Sequence, residues 1–348
     1  MDLATLWFVA IAVLWTGYFF LEGFDFGVGM LLPVLGRTDA ERTTVISTIG
    51  GVWDANEVWL IVAGGATFAA FPLWYATMFS GFYVALLIIL VALILRGVAF
   101  EFRGRREDRR WRANWERAIV AGSLVPAVLW GIAFADIVRG VPIDARHEYA
   151  GGPGDLVSWY SVLGGLATLT LFLLHGALFL RLRTFGEVRV RARQAARWIG
   201  PATVLVVAGF LAWTQVHRGG VVTVVTAAVA VAALIGAWAL NRIGPAGAAF
   251  TLTGLAIVAA TATLFIGLYP DVLPSTINPA YSLTVHNASS THYTLTIMTW
   301  AAVIVLPIVL AYQAWTYWVF ARRIGVAQRP PQRRPTPKRP AAARSGHR

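Results

Sequence analysis

Two acid pairs in apolar surroundings raise the question of chemistry. Glu22 and Asp25 stand three residues apart in "FLEGFDFGVG", and Asp54 and Glu57 repeat that spacing in "GGVWDANEVWL". A charge at the middle of a bilayer costs at least ~2.5–3.5 kcal/mol, so acids kept there have a task. At i,i+3, each pair lies on one face of a helix. Carboxylates crowded in a low dielectric cannot all ionise, and such groups take up and release protons. Asp, Glu and His inside a membrane are the usual composition of a proton relay. The blander alternative is a hydrogen-bonded cluster that only fixes helix packing.

The elements that must position these acids are membrane helices. The chain has 348 residues, 57% hydrophobic and 13% charged, with mean hydropathy +0.65. Soluble domains carry about 25% charged residues, so the composition is that of a membrane protein. There is no cysteine, which excludes disulfides and thiolate metal sites. Metal is expected to be absent. The first apolar segment lacks a basic leader and a cleavage site, so it reads as a retained helix.

A span needs about 20 apolar residues. Nine are expected, over 6–33, 46–69, 76–96, 118–138, 158–180, 198–216, 221–240, 248–269 and 294–320. Pro72 marks the turn between the second and third. All but three of the 29 lysines and arginines fall in alternate connections and the tail. The positive-inside rule then puts the N-terminus outside and the C-terminus in the cytoplasm. An offset of 153 lays "FLEGFDF" (20–26) on "LLHGALF" (173–179). The expected fold is therefore all-α and polytopic, two four-helix bundles plus one peripheral helix. Residues 1–320 form the membrane domain, with repeat units 1–140 and 155–245. The Pro- and Arg-rich stretch 321–348 reads as a disordered basic cytoplasmic tail. It is a solvated anchor beside anionic lipid and not a nucleic-acid binder.

Depth sharpens the acid reading. At 1.5 Å per residue, Glu22 and Asp25 lie ~15 and ~10 Å from the inner end of the first span. Asp54 and Glu57 lie ~12 and ~16 Å into the second, and His175 ~9 Å from the inner end of the fifth. Four carboxylates and one imidazole thus share a layer in the cytoplasmic half. Asn56 and Trp59 add hydrogen-bonding groups, and Gly23, Gly27, Gly29, Gly50 and Gly51 permit close helix approach.

Other ionisable residues read more plainly. Asp136, Arg139, Asp144, Arg146, His147 and Glu148 sit at the outer end of the fourth span, where solvation is the default. Arg96 reads as the inner end of the third, snorkelling to the interface. His286 and His292 lack metal-ligand spacing. His175 reads as a helix-contact histidine or relay member before a haem ligand. No GxGxxG, P-loop, GxSxG or Ser-His-Asp arrangement is present.

"GYFFLEGFDFGVGMLLP" (17–33), "IGGVWDANEVWLIVAGGATFAAFPLWYATMFSGFY" (49–83) and "LRGVAFEFR" (95–103) resemble subunit II of the cytochrome bd-type quinol oxidases. The resemblance is dense over the first hundred residues. It implies a subunit of a complex in the bacterial plasma membrane that oxidises quinol and reduces O2 to water, adding to the proton-motive force without pumping. It implies a partner, subunit I, that carries haems b and d and the quinol-oxidising loop. This chain would pair with it as a pseudo-symmetric heterodimer and hold no haem iron. A small accessory subunit, membrane lipids and a structural quinone are further expected associates. The resemblance assigns the acid of "WDxNxVWL", here Asp54, to a proton path along the subunit interface. The acid of "EGFDxG", here Asp25, matches a second family position. Many relatives carry Gln at Glu57, so that acid is a departure. A proton-coupled secondary transporter, with a pocket near mid-bilayer, and a purely structural scaffold are the competing readings.

Overall fold

The computed structural model describes residues 2–326; the expected tail from 327 onward lies outside the described residues. Among the described residues there are eleven α-helices, and eight of them are long and apolar enough to cross a membrane. The second of the nine expected spans is not one of the eight. Its residues divide between α2 (Asp39–Ser47), turns over 48–52, and α3 (Trp53–Ala70). α3 has 18 residues and is about 27 Å long, but its first turns carry Asp54, Asn56 and Glu57. The third span also starts later than expected. Pro72 stands at the first position of α4 (Pro72–Gly81), and α5 (Tyr83–Phe102) follows a break at Phe82. Proline is pre-shaped for a helix start and lacks the N–H that would go unpaired there.

Polar caps set several of the other boundaries. Asp2 Oδ1 accepts from Thr5 N at 2.8 Å to open α1 (Leu3–Leu35). Asp108 caps α6 (Arg109–Arg139) in the same way. Thr38 and Glu41 form a reciprocal box at the start of α2. Such caps satisfy N–H groups that the first turn leaves unpaired. α6 and α8 (Gly186–Arg218) run well beyond their expected spans, because the basic connections before them are helical. α7 spans Trp159–Arg183, α9 Val221–Ile243 and α10 Ala246–Leu268.

α1 is the hub, packed against α3, α6, α7 and α10. Its closest crossing is with α7. A methyl group on Gly27 would collide with the Phe172 carbonyl and with Gly176, so the two backbones touch there. Small residues at a crossing are how helices gain packing where no hydrophobic drive separates helix from lipid. Trp15, Tyr18, Phe19, Trp130 and Phe134 fill the space between α1 and α6 with edge-on ring contacts. α11 (His292–Val319) stands at the periphery, with only Leu295 and Thr316 buried.

The two ends of the bundle are built differently. One collects the α1–α2, α5–α6, α7–α8 and α9–α10 connections and is tied by arginines. Arg103 bonds Asp39 and Glu116 at 2.9 and 2.8 Å, and Arg42 bonds Glu116 at 2.7 Å. Arg191 pairs with Glu41, and Arg181 bonds Asn241 and the Gly244 carbonyl. Residues 321–326, the first part of the expected tail, are held here too, with Ile324 N bonded to Arg183 O at 2.9 Å. The opposite end is roofed by loops. Strands β1 (Asp271–Leu273) and β2 (Leu283–Thr284) pair antiparallel, and bridges join Val141 to Ser275 and Ile143 to Tyr149. That roof overturns the expectation for Asp136. It is fully buried and lies 3.1 Å from Arg139, because the loops cover the helix end that was expected to meet water.

Candidate functional site

α1 presents Glu22 and Asp25 toward α3 and α5, and both are completely buried. Each has a partner that the helix geometry supplies. Glu22 pairs with Arg96 of α5, which is also fully buried. Arg96 was expected to snorkel from the end of a span. Instead α5 continues to Phe102, so Arg96 lies about 9 Å inside its helix and its chain cannot reach water. Space for it comes from α6, where a Cβ at Gly122 would stand 2.7 Å from Arg96 Cβ. The guanidinium lies 4.7 Å from the Phe26 ring centroid, a cation–π contact. A buried ion pair is tolerated only where attraction repays desolvation.

Asp25 is held by α3. Asn56 Nδ2 donates to Asp25 Oδ2 at 2.7 Å. Tyr317 of α11 donates its hydroxyl to Asn56 Oδ1 at 2.6 Å. One turn further along α3, Trp59 Nε1 donates to Gln313 Oε1 at 2.8 Å. The Asp25–Asn56 bond brings the polar faces of α1 and α3 together. The cluster is not closed, however. Glu22 Oε2, Asp25 Oδ1 and Arg96 Nε and Nη1 are buried with no hydrogen-bond partner. Buried polar atoms are nearly always paired, so this set is unusual for a packing device.

The second acid pair divides. Glu57 is half-buried, whereas Asp54 is exposed in the first turn of α3. Asp54 was expected inside the span. The turns at 48–52 make it a helix-start residue, where a carboxylate also meets the positive end of the helix dipole. It shares an exposed stripe with Val58, Ile61 and Val62, the i, i+4, i+7 spacing of one helix face.

His175 does not join the acids. It is fully buried on the other side of α1, against α10. Its Nδ1 bonds Thr253 Oγ1 at 2.7 Å and its Nε2 bonds the Phe20 carbonyl at 3.1 Å. The ring stacks on Phe250 with centroids 4.4 Å apart. Both nitrogens are engaged, so the site does not fit haem ligation. Among the described residues no group of three or more His, Asp or Glu could hold a metal ion.

A long apolar groove runs beside the cluster between α1, α10 and α11, with a cavity volume of about 1330 Å³. Phe20, Trp59, Phe265, Gln313 and Tyr317 are among its walls. Gln313 Nε2 is buried there without a partner. Of the residues above, sequence reasoning missed Arg96, Tyr317 and Gln313 as members of the site. Arg96 was recoverable from the unbroken apolar run on both sides of it; the α11 residues carried no local signal.

Comparison with known proteins gives the family of the chain. Residues 3–320 match the family described as cytochrome bd terminal oxidase subunit II. The cytochrome bd ubiquinol oxidase subunit 2 of Bacillus subtilis (strain 168) is 43% identical over 328 residues, covering 93% of this chain and 97% of the relative. The cytochrome bd-I ubiquinol oxidase subunit 2 of Escherichia coli (strain K12) is 35% identical over 357 residues, covering 92% and 94%. The fold is that of a chain of the bd oxidase from Geobacillus thermodenitrificans, with TM-score 0.77 at 17% identity over 92% of this chain and 99% of that one. The chain belongs to the cytochrome bd terminal oxidase subunit II family.

Proposed function

We propose that this chain is the haem-free subunit of a quinol:oxygen oxidoreductase, pairs with a haem-bearing subunit I, and supplies part of the proton route to its oxygen-reducing site. The observation that carries the reading is the gradient of burial across the acids. Asp54 is exposed, Glu57 half-buried, and Asp25 and Glu22 fully buried. Glu22 Oε2 and Asp25 Oδ1 are buried without a hydrogen-bond partner. A proton entering from the arginine-rich end, the cytoplasmic one under the positive-inside rule, meets acceptors at each stage. The exposed apolar stripe around Asp54 suits coverage by subunit I. A residue there can hand protons across the interface while Asp25 and Glu22 hold them behind it.

The haems belong to the partner on this reading, since His175 has no free nitrogen. The groove fits a long-chain quinone bound structurally, with apolar walls for the tail and the Gln313 amide as a donor to a carbonyl. Such a quinone would supply electron-carrier chemistry when bound. The transporter alternative needs the acids to line a central pocket, and the groove is not lined by them.

The test is the purified complex carrying Asp54→Asn, with haem spectra and quinol-dependent O2 consumption recorded together. Normal haem with turnover lowered about 10²-fold or more supports proton transfer at Asp54. Unchanged turnover removes Asp54 from the path. Since the side chain is exposed, loss of haem would instead assign it to the contact with subunit I.

A further inference from the structure

The hydrogen bonds around Asn56 have a direction. A tyrosine hydroxyl carries one proton, and Tyr317 spends it on Asn56 Oδ1 at 2.6 Å. The amide is thereby fixed with Nδ2 toward Asp25, 2.7 Å from Oδ2. An amide has a donor side and an acceptor side, so its orientation selects the form of the acid it faces. With Nδ2 inward, Asn56 supports a carboxylate. With the amide inverted, Oδ1 would accept from a protonated Asp25 and Nδ2 would donate to the Tyr317 oxygen. The three groups therefore have two complementary arrangements, and the tyrosine can serve both.

We infer that Tyr317 is a positioning residue for proton transfer, acting on Asp25 through the orientation of the Asn56 amide. The inference rests on the proton-path reading above. Its structural basis is the place of Tyr317 on α11. That helix is otherwise peripheral, with only Leu295 and Thr316 buried. Gln313 and Tyr317, one turn apart, bond Trp59 and Asn56 of α3, three residues apart. α11 thus reaches the buried cluster through one matched pair of contacts. The groups facing Asp25 are Glu22 on its own helix, Glu57 from α3, Arg96 from α5 and Tyr317 from α11. Tyr317 is the member of this set that also lines the apolar groove.

The experiment uses the purified complex with haem content measured for every variant and turnover expressed per haem. Tyr317→Phe removes the hydroxyl and keeps the ring. It is expected to lower turnover about 3- to 10-fold, the loss of one hydrogen bond, and to move the acid limb of the pH profile to higher pH. The double variant with Asn56→Ala is expected to be no slower than Asn56→Ala alone, because both act through one amide. Tyr317→His, which restores a donor, is expected to recover part of the turnover. The inference is overturned if Tyr317→Phe matches the wild type, if its loss adds in full to that of Asn56→Ala, or if the His variant is no better than Phe. Asp25→Asn serves as the separate control. If it turns over normally, the proton-path reading itself fails, whatever Tyr317 does.

Discussion

The two faces of α1 hold ionisable groups at similar depth and treat them in opposite ways. Toward α10, His175 is fully engaged by Thr253, Phe20 and the Phe250 ring. Toward α3 and α5, Glu22, Asp25 and Arg96 make two side-chain hydrogen bonds, Arg96 to Glu22 and Asn56 to Asp25, and leave four buried polar atoms without a partner. A satisfied polar group contributes to packing and holds its proton where it is. An under-satisfied cluster costs stability, and that cost is expected where a fold keeps groups ready to exchange protons. Similar position along α1 therefore does not make two polar groups equivalent. The count of open hydrogen-bonding positions separates the two faces.

The largest expected contrast is in turnover. Asp25→Asn should lower quinol-dependent O2 consumption about 10²-fold or more with haem retained. His175→Gln should leave turnover within about twofold and lower stability by about 1–3 kcal/mol, read as a lower melting temperature of the complex. A reversal of that pair would break the comparison. Arg96 is next. Arg96→Met strands the Glu22 carboxyl in an apolar site, and its loss should cost about 3–5 kcal/mol. Adding Glu22→Gln should restore most of the melting temperature, because the stranded charge is gone. If the double variant melts no higher than the single one, the pair is not what holds α5 to α1.

The smallest effect lies at the arginine-rich end, outside the spanning helices. The Arg191 hydrogen bond holds the Glu41 carboxyl below its ordinary value of 4.5, with the Thr38 and Arg37 backbone amides adding to it. A lowered value in the fold means that this clamp stabilises above pH 4.5 and is lost as pH falls through the folded value. The loss should be about 1 kcal/mol or less. Melting curves of wild type and Glu41→Gln should differ at pH 7 and converge as the pH falls through the lowered folded value. Curves that stay parallel would show that the clamp contributes nothing.

Much of the fold was legible because lipid imposes a simple rule. Apolar runs of sufficient length marked most of the spanning helices, and the i,i+3 spacing of Glu22 and Asp25 marked the face of α1 that meets α3 and α5. The errors cluster where polar residues interrupt those runs. The second span was read as continuous over 46–69. The chain instead breaks at 48–52, and α3 begins at Trp53. That break exposes Asp54, so a residue counted as deep proves to be at a surface. Arg96 was misplaced for the converse reason. A charge was taken as the end of a helix, and the helix continues for six more residues.

By itself the sequence determined that this is an all-α membrane protein, that two acid pairs interrupt its first apolar stretches, and that it carries the motifs of its family. Those properties depend on composition, period and spacing, which are local. The tertiary structure alone decided the partners. Whether Glu22 meets Arg96, whether His175 joins the acids or faces away, and whether a tyrosine 261 residues from Asn56 sets its amide all depend on how helices rotate about their axes. That rotation is fixed by close contacts such as Gly27 on Gly176 and Gly122 on Arg96, which no single stretch of the chain contains.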